Sequence, residues 1–139
     1  MSKITLERVT EADTELVALW NEAISDSGSM RGIEALRTSA GEGIAPDELL
    51  PLLVSRGRVW AATHEGRVKS FVILHERVIQ ALYVAVAHRR QGIARLVLGA
   101  LGTTSTPPID AWALPGDRAT KSLYESMGWK ARLLTMRAE

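Results

Sequence analysis

Hydrophobic and polar positions alternate over several short stretches of the chain, a pattern that predicts β-strands. A first strand is expected at residues 4–9. Two further strands, at residues 59–64 and 68–75, flank a Glu-Gly pair that is suited to a two-residue hairpin turn. A fourth strand is predicted at residues 77–87, and its centre is apolar on both faces. Such a strand fits the buried middle of a sheet.

Other stretches repeat their apolar residues at helical spacing. Residues 10–24 predict a first helix, with Thr10 and Asp13 in a capping-box arrangement at its start. Between residues 25 and 44 the pattern weakens and glycines interrupt it, so only a poorly specified helix is expected there. Residues 46–54 predict another short helix. The first half of the chain thus places its helices between the first strand and the hairpin.

The second half of the chain alternates helices with strands. Residues 93–101 carry a full amphipathic stripe, and residues 109–114 predict a short strand. A last helix is expected after Asp117, with Gly128 as a left-handed cap at its end. Residues 129–137 are expected to form one strand or a broken pair. The order of elements predicts a single α/β domain with a mixed sheet, antiparallel in its early strands and parallel across the last crossovers.

The amino-acid composition excludes several classes of site and makes others unexpected. The 139 residues include 17 lysines and arginines and 16 aspartates and glutamates, so a net charge of +1 gives no general attraction to nucleic acid or to a membrane. There is no cysteine, which excludes disulfides, thiolate nucleophiles and cysteine-bound zinc. The three histidines lack the spacing of metal ligands, and no apolar run approaches the ~18 residues of a membrane span. The cysteine count and the histidine spacing therefore predict a protein without a bound metal. Since no secretory signal is visible, a cytoplasmic protein is expected.

One strand-to-helix junction concentrates positive charge. Arg89, Arg90 and Arg95 surround the start of the helix at residue 93, and Gly92 lets the main chain approach a ligand closely. A helix N-terminus adds unpaired N–H groups and about half a positive charge. The junction therefore predicts an anion site suited to a phosphate or pyrophosphate, with a plain basic turn as the alternative. The G-x-G-x-x-G fingerprint and the P-loop sequence are both absent.

Two segments resemble motifs of a known family. Residues 80–95, QALYVAVAHRRQGIAR, resemble the acetyl-CoA signature of the GNAT N-acetyltransferase superfamily, and Arg89, Gly92 and Ala94 match its defining positions. Residues 117–129, DRATKSLYESMGW, resemble a second motif of the same family. Both motifs stand in the family's order, with one strand between them. The resemblance implies a GNAT-like fold, in which two splayed strands of a mixed sheet bind coenzyme A.

The resemblance implies a role in binding acetyl-CoA for each matching residue. Main-chain groups of Leu82, Tyr83 and Val84 would hold the pantetheine arm and polarise the thioester carbonyl. Asp117 would lie near the pantetheine, and Tyr124 would protonate the departing thiolate as a general acid. The remaining residues would surround the pyrophosphate: Arg89, Arg90, Gln91, Gly92, Ile93, Ala94 and Arg95.

The catalytic base is the main departure from the family pattern. Gln80 occupies the place where many members carry a glutamate on the central strand, and glutamine cannot take a proton. Glu76, His75 and Asp110 are weak candidates for a base. Deprotonation through water, or a substrate amine that is already neutral, would replace the missing glutamate.

The resemblance implies an N-acetyltransferase that moves an acetyl group from acetyl-CoA to a primary amine by direct attack in a ternary complex. The lack of cysteine favours direct transfer, because no cysteine-linked acyl-enzyme can form. The acceptor is left open between a small molecule, a peptide N-terminus and a lysine side chain, and a homodimer is also left open. Two alternatives stand beside this hypothesis: a catalytically degenerate CoA-binding module for sensing or interaction, and an unrelated phosphate-binding α/β domain.

Overall fold

The computed structural model describes residues 4–26, 30–41, 43–104, 109–113, 118–132, 136 and 138. Within these residues the strands form one sheet, and their order across the sheet follows the chain: β1 (Thr5–Arg8), β2 (Val59–His64), β3 (Arg67–His75), β4 (Val78–Val84) and β5 (Asp110–Ala111). The first four strands pair antiparallel, and β5 lies parallel to β4. This topology confirms the predicted mixed α/β sheet.

Helices cover both faces of the sheet: α1 (Thr14–Ser25), α2 (Met30–Ala40), α3 (Pro46–Ser55), α4 (Ile93–Thr104) and α5 (Arg118–Ser126). The first three pack on one face, where the ring of Phe71 lies between those of Trp20 and Tyr83. The last two pack on the other face, where Val97 and Tyr124 join a second buried cluster. Because β3 and β4 contribute to both clusters, they are apolar on both faces.

Both hairpins that flank β3 turn on two residues in the left-handed conformation. Glu65 and Gly66 have φ angles of 54° and 77°, and Glu76 and Arg77 have φ angles of 47° and 68°. Two successive positive φ angles define a type I′ turn, whose twist matches that of the strands it joins. The first turn was predicted by its sequence. The second places Arg77 in the turn, so β4 begins one residue later than predicted.

The far end of β4 also differs from the prediction. The strand ends at Val84 rather than at residue 87, and Val86–His88 form a single turn of 3-10 helix. The N–H of Val86 donates to the carboxylate of Glu22 on α1 at 3.1 Å instead of to another strand. A side chain of α1 therefore takes over the main-chain bonding where the strand stops.

Several other element limits need correction. The N-cap of α1 is Asp13, whose carboxylate accepts from the N–H of Leu16 at 2.8 Å, so the capping box predicted from Thr10 is wrong. The poorly specified pattern after residue 25 contains a regular helix, α2. Of the predicted strand 109–114, the described residues 109–113 contain the strand Asp110–Ala111. Residues 129–132 of the predicted last strand are not in a strand, and most of its remainder lies outside the described residues.

A polar network fixes α1 to β4 and to the loop that follows it. The hydroxyl of Tyr83 donates to the carboxylate of Glu22 at 2.8 Å. One turn further along α1, Asp26 accepts from the guanidinium of Arg89 at 3.0 Å, and that guanidinium lies 5.3 Å from the centre of the Tyr83 ring. Burial of its hydroxyl, reinforced by the neighbouring Glu22 carboxylate, raises the pKa of Tyr83 well above the ordinary value. The network therefore depends on a neutral phenol.

Replacing Tyr83 by Phe is expected to lower the free energy of unfolding by roughly 1–2 kcal/mol near pH 8, because a hydrogen bond to a carboxylate is lost. The pKa of Tyr83 is raised in the folded chain, so its stabilising contribution is complete below the ~10 of an unfolded tyrosine and is lost as pH rises through the raised value. The difference in stability between the two proteins should therefore shrink above about pH 10. Denaturant titrations at pH 8 and at alkaline pH measure it, and a constant difference would contradict this account.

Candidate active site

β4 carries a β-bulge at Gln80. Ile73 of β3 pairs with Ala81, whereas Leu74, the next residue of β3, pairs with Ile79. Gln80 is thus the extra residue between two successive pairs. A bulge bends its strand and increases the local twist.

Within the described residues, β5 pairs with β4 at two positions. Ile79 pairs with Ala111, and the N–H of Trp112 donates to the carbonyl oxygen of Ile79 at 2.9 Å. Within residues 109–113, no further pairing with β4 follows. We call the side of β4 that faces away from β3 over residues 80–84 the open edge. The bulge and the end of the parallel pairing coincide at the start of this open edge.

Leu82 and Val84 present their main chains to the open edge. The N–H of Ala85 donates to the carbonyl oxygen of Lys69 on β3 at 2.9 Å. Hydrogen-bonded and non-bonded pairs alternate along antiparallel strands, so the main chain of Tyr83 also faces β3. The N–H and C=O groups of Leu82 and Val84 then point the other way. Of the three residues predicted to hold the pantetheine arm, these two have main-chain groups on the open side.

The loop from β4 to α4 bends through two residues with positive φ, 65° at Arg90 and 75° at Gly92. A Cβ atom on Gly92 would meet no heavy atom within 4 Å, so this glycine borders open space rather than packed side chains. The loop and the first turn of α4 surround a cavity of about 210 Å³. Its lining consists of Val84, His88, Arg89, Arg90, Gly92, Ile93, Ala94, Arg95 and Leu123.

Main-chain N–H groups add to the positive character of this cavity. The first helical hydrogen bond after the loop runs from the N–H of Leu96 to the carbonyl oxygen of Gly92, at 3.1 Å. The N–H groups that precede it at the start of α4 have no partner within the helix, and the helix dipole makes this end positive. We call the loop and helix start, residues 90–95, the anion cradle. Its shape and charge suit the pyrophosphate predicted from the sequence.

The three arginines of the junction have different surroundings. Arg89, bound to Asp26, also donates through Nε to the carbonyl oxygen of Val84 at 3.2 Å, so its side chain is held in place. Arg95 donates to the hydroxyl of Ser126 on α5 at 2.9 Å. Arg90 forms no ion pair with any residue of the described segments. Arg90 is therefore the arginine most available to an anion in the cavity.

Tyr124 lies beside this cavity but inside the core. Its side chain is buried and stacks on Trp129, with ring centroids 5.0 Å apart. The preceding residue, Leu123, lines the cavity itself. Tyr124 is thus packed in the core, directly next to a residue that lines the cavity. Asp117, the other residue predicted from the second motif, lies outside the described residues.

The three weak candidates for a base lie together at the opposite end of β4. Nε2 of His75 is 3.9 Å from a carboxylate oxygen of Glu76, in the turn before the strand. Asp110 is exposed and pairs with Val78, the first residue of β4. Seven residues of strand span about 20 Å at roughly 3.3 Å per residue. The structure therefore brings these candidates together and separates them from the anion cradle.

Gln80 has a polar partner that sequence analysis missed. Its side-chain amide donates to the hydroxyl of Ser39 on α2 at 3.0 Å. Nothing in the weak helical pattern around Ser39 marks that residue. The missed carboxylates of α1 did leave a signal, because Glu22 and Asp26 are four residues apart and so lie on one face of a helix.

Metal binding and membrane insertion find no support in the part of the chain that the structure describes. No group of three or more His, Asp or Glu side chains in that part could hold a metal ion. None of the helices in those segments is both long and apolar enough to cross a bilayer.

The family model that describes the acetyltransferase (GNAT) domain matches residues 55–131, more than half of the chain. The match begins at the end of α3 and spans the hairpins, the anion cradle and α5. The chain therefore belongs to the GNAT acetyltransferase family. No curated protein sequence is significantly similar to it.

Solved structures share the fold at low sequence identity. A ribosomal-protein-alanine N-acetyltransferase from Brucella melitensis biovar Abortus 2308 is 18% identical, covers 100% of this chain and 99% of its own, and has a TM-score of 0.61. An aminoglycoside acetyltransferase from an uncultured soil sample is 20% identical over 99% and 98% of the two chains, with a TM-score of 0.58. A diaminobutyrate acetyltransferase from Paenibacillus lautus, solved with its substrate and coenzyme A, is 19% identical over 91% and 75%, with a TM-score of 0.50.

Replacing Gly92 by Trp is expected to fill the open space beside the anion cradle. CoA binding should weaken by roughly 100-fold or more, equivalent to at least about 2.8 kcal/mol. Isothermal titration calorimetry with CoA measures the loss.

Gly66→Trp is the matched control. Gly66 has a φ of 77°, and a Cβ atom there would also meet no heavy atom within 4 Å, but this glycine lies in the β2–β3 turn. Both changes place a side chain on a left-handed residue, at a similar cost of about 1–2 kcal/mol in stability. If the folded Gly92→Trp protein bound CoA as tightly as Gly66→Trp, the cradle would not be the pyrophosphate site.

Proposed function

We propose that this protein transfers an acetyl group from acetyl-CoA to a primary amine by direct attack in a ternary complex. The observation that carries the proposal is the continuity of two features on one strand. The open edge of β4 ends at Val84, and the anion cradle begins a few residues later. An elongated ligand with a diphosphate at one end and a hydrogen-bonding arm at the other fits both features.

The anion cradle would hold the pyrophosphate through main-chain N–H groups of residues 90–95. Arg90 adds the positive charge that is free of an ion pair in the described segments. Backbone donors and an arginine give charge-assisted hydrogen bonds, which are stronger than those between neutral groups. Arg89 would act indirectly, because its bonds to Asp26 and Val84 fix the path of the loop.

The open edge would bind the pantetheine arm in the manner of an added strand. Leu82 offers one N–H donor and one C=O acceptor there, and Val84 offers an N–H donor, since its carbonyl oxygen already accepts from Arg89; the amides of pantetheine are complementary to these groups. An N–H group of this edge, placed at the thioester carbonyl, would stabilise the negative charge that develops on its oxygen during attack. The main chain of β4 would thus both position and activate the acyl donor.

The transfer balances without a covalent enzyme intermediate. The lone pair of a neutral amine forms the C–N bond, the C–S bond breaks, and CoA leaves as a thiolate. The amine loses one proton to water, and the thiolate gains one from Tyr124, which is reprotonated by solvent. A thiol with a pKa of about 8.5 is already a fair leaving group, so the contribution of Tyr124 is a modest one.

The similar structures support an amine as the acceptor, but they do not identify which amine. The names of the similar structures refer to an alanine of a ribosomal protein, to an aminoglycoside and to diaminobutyrate. These names support an amine acceptor in general and favour no single one for this chain. Thiol release from acetyl-CoA, measured across a panel of small amines, peptides and lysine derivatives, tests the proposal.

A second candidate function rests on Gln80. With an amide in place of a carboxylate, the chain lacks the usual proton acceptor on the central strand, as a CoA-binding module without catalysis would. CoA binding in calorimetry, combined with no thiol release above the uncatalysed rate for any amine of the panel, would favour that alternative.

The change Tyr124→Phe distinguishes a general-acid role of Tyr124 from a packing role, because it removes the hydroxyl but keeps the ring and its stacking on Trp129. We expect kcat to fall by roughly 10²-fold, the low end of general acid catalysis, with little change in the KM for acetyl-CoA. The defect should be smaller with an acyl donor whose thiol is more acidic, since that leaving group needs less protonation. A full kcat, or a defect of equal size with both donors, would make Tyr124 a core aromatic only.

A further inference from the structure

The carboxamide oxygen of Gln80 is buried and has no hydrogen-bond partner among the described residues. The Gln80 residue is only 6% exposed, and its amide nitrogen is held by Ser39. A buried acceptor without a donor is unfavourable by the full cost of removing it from water, and native structures contain few such groups. Gln80 is therefore a polar group whose main partner is absent from the described part of the protein.

The position of this oxygen relates it to the proposed reaction. Gln80 is the bulged residue of β4 and the first one beyond the last pair with β5. Its side chain lies on the face of the sheet covered by α2, whereas the anion cradle opens beside α4 on the other face. A thioester bound along the open edge would thus have Gln80 on the side opposite the cofactor's phosphates, and an acceptor amine would have to reach the buried oxygen from that side.

The chemistry of a carboxamide restricts what it can bind. Its oxygen accepts a hydrogen bond from an N–H group, but it neither takes a proton nor balances a positive charge. The charged groups described on the neighbouring elements are Glu34 and Arg37 on α2, which pair with each other, Arg67, Lys69 and His75 on β3, and Arg77 and Asp110 at the strand starts. None of the basic groups among them donates to the Gln80 oxygen. Both carboxylates are exposed, so an ammonium buried beside Gln80 would have no buried counter-charge among the described residues, which is strongly unfavourable.

We propose that Gln80 is a positioning residue whose oxygen accepts a hydrogen bond from a neutral acceptor amine, and that the enzyme is selective for weakly basic primary amines over strongly basic alkylamines. This inference rests on the proposed acetyl transfer. Ser39 fixes the amide so that its oxygen is free for the substrate. The attacking nitrogen enters as R–NH2, and its proton leaves to water after the C–N bond forms.

The test uses a short peptide that carries both a free N-terminal amine and one lysine, with acetyl-CoA as donor. The two amines have pKa values of about 8 and about 10.4, so at pH 7 their neutral fractions differ by roughly 10²-fold. Mass spectrometry locates the acetyl group, and a reaction without enzyme is subtracted. We expect at least about a 10²-fold preference for the N-terminal amine at pH 7, and a kcat/KM that rises with pH up to the pKa of that amine.

Three variants distinguish positioning from structure. Gln80→Glu supplies a carboxylate of the same size, so the preference for the N-terminal amine should narrow at least tenfold and the rise of kcat/KM with pH should flatten. Gln80→Leu removes the acceptor oxygen and should lower kcat/KM for the amine about tenfold, mainly through its KM, with the Kd for CoA unchanged. Ser39→Ala leaves the oxygen in place but unfixed, and a smaller loss in the same direction is expected.

The possible outcomes distinguish a failure of the role of Gln80 from a failure of the proposed acetyl transfer. If the wild-type protein released no thiol with any amine, acetyl transfer and the role of Gln80 would both be overturned. If it acetylated amines but preferred the lysine, only the role of Gln80 would be overturned. The same holds if Gln80→Leu kept its full kcat/KM, or if Gln80→Glu changed neither the preference nor the pH profile.

Discussion

The arrangement of the site depends on the point where β4 and β5 separate. Main-chain N–H and C=O groups in a sheet need partners, and a strand in the middle of a sheet normally has them on both sides. The bulge at Gln80 follows the last bond to β5 within the described residues, and the main-chain groups of Leu82 and Val84 face the side of β4 on which no described residue pairs with them. Such an edge is complementary to any extended ligand that carries amides, and this requirement is met by the arm of coenzyme A in the proposed complex.

The anion cradle, which follows the end of β4, also presents main-chain N–H groups that have no partner within its helix. β4 points at the loop of residues 90–95, and the segment that leads into this loop is held at Val86 and Arg89 by Glu22 of α1 and by Asp26, the residue that caps α1. Those two carboxylates bind an N–H group of the main chain and the guanidinium of Arg89, so they shape the cradle without entering it. Residues of α1 and its C-cap thus fix the segment that leads into the anion cradle. A different helix, α4, supplies the dipole that faces the anion.

The sequence was sufficient for features that arise from local pattern. Alternation predicted β2 and β3, the amphipathic stripe predicted α4, and the motifs predicted the region of the cradle around Gly92. The sequence predicted a turn at Glu76 between two strands, but it did not predict that Arg77 belongs to this turn or that Arg90 has a positive φ, because non-glycine residues adopt that conformation infrequently. Nor did it predict the Gln80–Ser39 contact, which joins residues 41 positions apart through the docking of α2.

The cofactor side of the proposed site is formed mainly by main-chain groups, and the acceptor side is formed by side chains. The cofactor side consists mainly of main-chain groups of β4, of the loop and of the start of α4, and such groups exist whatever the side chains are. Main-chain groups depend on the fold rather than on side-chain identity, and the fold itself is shared with solved structures at 18–20% identity. The acceptor side consists of side chains on β4 and α2, such as Gln80 and Ser39, whose chemistry changes with every substitution. In the proposed complex, a single exchange of carboxylate for carboxamide there would alter which protonation state of an amine can bind, while the donor side would keep its geometry.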